Sequence, residues 1–130
     1  MKLESISDID KLPSVLDVDE VSARLIELIN VLRQNKLDCL EGAEAINHLI
    51  SYQGYDTKEI GPEASVEVIE WTAENYDEKN MELTECSIAN VVNMRRTNAI
   101  EFLKDRYVKS NSAFEKNEIK EALNEIGEKT

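Results

Sequence analysis

Asp17-Val-Asp-Glu-Val-Ser-Ala-Arg-Leu-Ile-Glu-Leu-Ile-Asn-Val-Leu32 decides the fold class. Asp17 followed by Glu20 has the form of a capping box, and Val21, Leu25, Leu28, Ile29 and Leu32 then share one helical face, which predicts a helix over about 18–35. Upstream, Leu3, Ile6, Ile9 and Leu12 recur every third residue up to Pro13, a spacing that suits either a short helix or an ordered arm. Downstream, Asp38 and Glu41 repeat the cap signal before Ala43, Ile46, Leu49 and Ile50, a second helix ending near Tyr52 and Gly54. Residues 54–61 read as a loop with a glycine at each end, and Pro62 suits the first position of a third helix over about 62–76. Its inward face is expected to be Val68, Ile69, Thr72 and Tyr76. A turn at Asp77-Glu78-Lys79-Asn80 leads to a fourth helix carrying Ile88, Val91 and Val92, and a fifth follows at about 97–108 with Ile100, Leu103 and Tyr107. Ser112 and Glu115 form another capping box before a last helix that buries Phe114, Ile119, Ala122, Leu123 and Ile126.

The fold class is therefore all-α, with about six helices in one domain spanning residues 1–130. A shift of 31 residues maps Ile69-Glu70-Trp71 onto Ile100-Glu101-Phe102, Tyr76 onto Tyr107, Ile88 onto Ile119 and Val92 onto Leu123. Such a repeat describes stacked antiparallel hairpins, an α-solenoid of the HEAT or armadillo kind. An irregular bundle of similar amphipathic helices gives the same pattern. Only four Gly and two Pro occur, which agrees with helices better than with a fold rich in tight turns. At 130 residues, folding can bury roughly two-thirds of the surface of the unfolded chain, and 42% hydrophobic residues suffice for one core.

Twenty-seven acidic residues against fifteen basic ones give a net charge of −12. That field repels nucleic acid and anionic membrane and attracts basic surfaces, so a basic protein partner is expected; acidity that serves only solubility is the competing reading. No apolar signal segment or membrane span is visible, and a cytoplasmic location follows as an expectation. Cys39 and Cys86 sit within helical patterns without CxxC spacing, as half-buried reduced thiols would. His48, the only histidine, falls in the second helix beside Ile46, Leu49 and Ile50 and has no visible catalytic partner; a partly buried structural role is expected. No nucleophile elbow, phosphate loop, HExxH or calcium-loop spacing appears, so catalytic residues, cofactors and metals are all expected to be absent.

The most informative polar pattern is Glu63, Glu67, Glu70 and Glu74 on the third helix. Their directions span roughly 60° opposite the apolar face, and no lysine interrupts residues 62–78. Like charges at these spacings weaken an isolated helix, which points to a use in binding. Trp71, the sole tryptophan, projects roughly 80° from Glu63 at the edge of this stripe, where it would anchor a contact or pack between helices. Asp77 and Glu78 extend the acid, and Tyr52, Tyr55 and Asp56 could rim the same surface. Glu118, Glu121 and Glu125 on the last helix provide a charge-matched comparison without an expected role.

The stretch Ile46-Asn-His-Leu-Ile-Ser-Tyr-Gln-Gly-Tyr-Asp56, then Glu63-Ala-Ser-Val-Glu-Val-Ile-Glu-Trp71, with Leu83-Thr84 and Ile119-Lys-Glu-Ala-Leu-Asn-Glu-Ile126, resembles the immunity protein 30 family. That resemblance implies a cytosolic helical protein encoded beside a bacterial polymorphic toxin, including toxins of contact-dependent growth inhibition. Such a protein binds and blocks the cognate toxin's C-terminal domain. The toxin is expected to be a basic nuclease, an RNase first, because nucleic-acid cleavage needs a basic groove that an acidic inhibitor can occupy or flank. An acidic nucleic-acid mimic and a helical adaptor or secretion chaperone are the other classes the sequence admits.

Overall fold

The computed structural model describes residues 3–13, 15–35, 38–53 and 59–127, and all the regular structure among them is helical. A short 3-10 helix, Ile6–Lys11, settles the N-terminal alternatives: it buries Ile9 against the body while Leu3 fills the core beside it. Six α-helices follow: α1 Val18–Gln34, α2 Cys39–Ser51, α3 Pro62–Asn75, α4 Met81–Asn93, α5 Thr97–Lys109 and α6 Ala113–Glu125. The cap signals set the starts. Asp17 accepts from the Glu20 amide and Ser112 from the Glu115 amide, each satisfying a donor that has no partner inside its helix. Asp38 makes no such bond. Asn80 caps α4 through the Leu83 amide, and Pro62 opens α3 where its missing N–H costs nothing. Beyond α6 the backbone turns left-handed at Gly127, φ 81°, the conformation for which glycine is preferred.

The helices form two layers. In one, α1 packs on α3 and α3 on α5; in the other, α2 packs on α4 and α4 on α6. Short connections pair α1 with α2 and α5 with α6, but the α3–α4 unit that the 31-residue shift maps onto α5–α6 is not a close pair, and the helices pack as a bundle. The stack is not regular: α3 touches α4 lightly, and α4 leans on α5. Equivalent positions are buried alike at Ile88 and Ile119 and half-buried alike at Tyr76 and Tyr107.

One continuous apolar cluster runs between the layers, including Leu25, Leu28, Ile29, Ile46, Leu49, Val68, Val91, Leu103, Ile119 and Leu123. Every residue that the periodicity assigned to the inner faces of α1 and α2 is buried, and Ser22 and Val31 on α1 and Gly42 and Ala45 on α2 are buried beside them. On α6 the periodicity placed Ile126 inside, whereas this residue follows the helix and stays exposed. A few polar bonds fix the layers against one another. The buried Asn90 amide donates to the Ala43 carbonyl at 2.9 Å, joining α4 to α2, and Ser22 accepts the Gly61 amide at 2.9 Å, fixing the entry to α3.

Candidate functional site

The acidic stripe of α3 lies on the surface, but it faces a cation that the helix itself does not supply. Arg33, in the last turn of α1, donates from Nη1 to Glu67 at 2.9 Å and from Nη2 to Glu74 at 3.4 Å, with Glu70 at 3.9 Å. One guanidinium thus spans three carboxylates on successive turns, a geometry suited to its planar fork of donors. Glu70 and Glu74 remain 58% and 59% exposed, and Glu63 is exposed beyond them. The stripe is therefore a seam between α1 and α3 with a residual negative charge on its outer edge.

Trp71 corrects the expectation of a surface anchor. It is only 6% exposed and belongs to the core. A Cβ built on Gly42 of α2 would lie 2.7 Å from Cζ2 of the indole, so only glycine lets the ring approach the α2 backbone this closely. The buried face of α3 is accordingly Ala64, Ser65, Val68, Trp71 and Thr72, with Ile69 and Tyr76 half-buried, a rotation toward the tryptophan relative to the expected face. A glycine inside the helical pattern of α2 was the available signal for a close approach.

The other residues placed at this surface are dispersed. Asp77 is exposed and shapes the α3–α4 turn, its carboxylate accepting from the Lys79 amide at 3.0 Å. Tyr52 is half-buried and donates to the Ile9 carbonyl at 2.8 Å, tying the 3-10 helix to α2 rather than rimming the α3 stripe. His48 stacks on Tyr52 with centroids 5.4 Å apart and lies 3.8 Å from Asp10 at the surface, so the expectation of partial burial fails. Tyr55 and Asp56 lie outside the described residues.

Glu78 turns inward to a polar hub. Its carboxylate meets Arg106 at 3.3 Å and accepts from Ser110. Arg106 also donates from Nε and Nη2 to the two oxygens of Glu115, both at 3.0 Å, and lies over the Tyr76 ring, whose hydroxyl donates to the same carboxylate. Glu115 is fully buried at the start of α6. Burial works to raise its carboxyl, but hydrogen bonds from Arg106, Ser110 and Tyr76 outweigh it and hold the group below its ordinary range. The second half of the expected Ser112–Glu115 box is thus absent, because that carboxylate binds α5 and the end of α3 instead.

A different acidic surface lies on the α2–α4–α6 layer. Between α4 and α6 runs a groove of about 260 Å³ with Ile88, Ala89, Val92 and Ala122 on its floor and Glu85, Glu118, Glu121 and Glu125 on its walls. Between α2 and α4 a second groove, of about 340 Å³, is lined by Leu40, Cys86 and Ala89 together with Glu44, Glu82 and Glu85. Glu85 and Ala89 form the ridge common to both. Among the described residues no ion pair joins any of these six glutamates to a cation. Partial burial, then Glu85 and Glu121, raise the Glu118 carboxyl; burial, then Glu44 and Glu85, push the Cys86 thiol up to about 11. Both cysteines are free and half-buried. Because α4 contains no basic residue and α2 only His48, the sequence did signal this surface. What it did not signal was that α2, α4 and α6 would lie side by side.

The chain matches no protein-family model, no curated protein and no solved structure. No group of His, Cys, Asp or Glu among the described residues is arranged to hold a metal ion. Among the described residues, no helix is long and apolar enough to cross a membrane.

Proposed function

We propose that this protein works by binding a basic protein, and that it is an immunity protein which neutralises the C-terminal nuclease domain of a cognate bacterial toxin. The observation that carries the binding reading is the set of glutamates on the α2–α4–α6 layer that no cation among the described residues pairs with, in a chain of net charge −12. Their mutual repulsion is a standing cost that an approaching basic surface relieves. The outer edge of the α3 stripe, Glu63, Glu70 and Glu74, adds to the same field and steers association, whereas Glu67 is committed to Arg33. The immunity reading adds the resemblance in residues 46–56, 63–71 and 119–126.

Co-expression with the toxin domain encoded next to this chain's gene tests the whole reading. Growth should be restored, and titration calorimetry of the purified pair should give a one-to-one complex that related toxins do not form. Absence of both protection and binding sinks the proposal. Indiscriminate binding of unrelated basic proteins with steep salt dependence would make the chain a nucleic-acid mimic instead.

A further inference from the structure

Glu67, Glu70 and Glu74 on α3 show what this chain does with carboxylates spaced three and four residues apart: it lays one arginine across them. The same spacing recurs on α6 in Glu118, Glu121 and Glu125, whose directions again span roughly 60° of the helix surface. Here the neighbouring helix offers another glutamate, Glu85, across an apolar-floored groove. We infer that the α4–α6 groove seats an arginine-bearing amphipathic segment of the partner, its guanidinium across Glu118, Glu121 and Glu125 and its adjoining apolar side chain on Ala89, Val92 and Ala122.

Three features select this occupant. Charge complementarity requires a cation, since four carboxylates surround the groove and none is ion-paired among the described residues. A metal ion fits poorly, because no described carboxylates converge as a ligand set. The apolar floor calls for a side chain rather than a free ion, and an amphipathic segment with Arg and Leu on one face meets floor and walls together. Arginine suits the walls better than lysine because its planar fork can bond carboxylates on successive turns, as Arg33 does. The like charges that raise the Glu118 carboxyl are those a guanidinium would offset. This inference rests on the reading that the chain binds a basic protein, and it names the seat and the contacting chemistry.

The test needs no toxin. A short blocked helical peptide with Arg and Leu repeated on one face is titrated into the isotope-labelled protein, and backbone amide shifts are mapped. Shifts should cluster at Ala89, Val92 and Ala122. The double variant Glu118→Gln, Glu121→Gln should weaken the peptide about tenfold, the loss of a charge-assisted contact, while Glu67→Gln, Glu70→Gln removes the same net charge and stays within about twofold. A peptide with citrulline in place of arginine keeps the shape without the charge and should bind at least as weakly as the α6 double variant binds the parent. Shifts centred on α3 or scattered over the surface overturn the inference. So do equal weakening by both double variants, equal binding of the citrulline peptide, or no peptide binding at all. Toxin protection that persists after such a result would leave the immunity reading standing and remove only this seat.

Discussion

Glu67, Glu70 and Glu74 on α3 and Glu118, Glu121 and Glu125 on α6 share one spacing and meet opposite surroundings. The α3 set faces Arg33 from the adjacent helix, so much of its charge is spent joining α1 to α3. The α6 set faces Glu85 over a groove with an apolar floor, and no cation of the described chain is paired with it. Equal patterns along the chain thus become a structural seam in one place and an unsatisfied surface in another. What separates them is the residue that the neighbouring helix presents, which depends on how the helices stack.

The largest effect that sharpens this contrast should come from beneath the α3 stripe. Trp71→Ala removes a core side chain packed on Gly42 and should cost about 3 to 5 kcal/mol in a denaturant titration, as large aromatic truncations in cores do. A cost below about 1 kcal/mol would return Trp71 to the surface and revive it as a contact residue.

Next in size is Glu115, the α6 carboxylate that pairs with Arg106. Glu115→Gln keeps the shape but removes the charge opposite Arg106, and should cost about 2 kcal/mol near neutral pH. Its pH dependence has a definite sign. Because the folded-state carboxyl is held below its ordinary value of 4.5, its contribution is complete above that value and is lost as pH falls through the lower folded one. Wild type should therefore lose stability more steeply than Glu115→Gln under acid, and the two curves should converge. Parallel curves would mean that the Arg106 contact does not act through charge.

Smaller still, Arg33→Gln leaves three glutamates together on half-exposed ground and should cost about 0.5 to 1 kcal/mol, less at high salt. If Glu67→Gln and Glu70→Gln restored none of that loss in a double-mutant cycle, the seam would not be electrostatic. The smallest change belongs to the α6 set: Glu118→Gln with Glu121→Gln should shift stability by no more than a few tenths of a kcal/mol, toward greater stability, because repulsion is removed while a glutamine at 121 can still accept from the Asn117 amide. A clear loss would show these carboxylates to be paired with a cation of the protein itself and would end the comparison.

Helix positions were legible at nearly every element, because caps and apolar spacing are local: Asp17, Pro62 and Ser112 start helices through bonds or dihedrals within a few residues. The buried faces of α1 and α2 followed from periodicity for the same reason. The candidate site was legible only as a list of acidic residues. Trp71 illustrates the limit, since its place on a helical wheel put it at the edge of the acidic stripe while Gly42, in the preceding helix, made room for it inside. Glu115 shows another: a capping box and a buried ion pair ask for the same residue, and only the arrival of Arg106 and Tyr76 chose between them.

By itself, then, the sequence determined the all-helical class, the helix boundaries, the acidic field and the faces of the first two helices, all of which depend on residues near one another along the chain. The tertiary structure alone decided which carboxylates are neutralised and which are not. Ion pairing falls steeply with distance and burial, and Arg33 reaches α3 only because α1 and α3 stack, just as Glu85 confronts α6 only because α4 and α6 do.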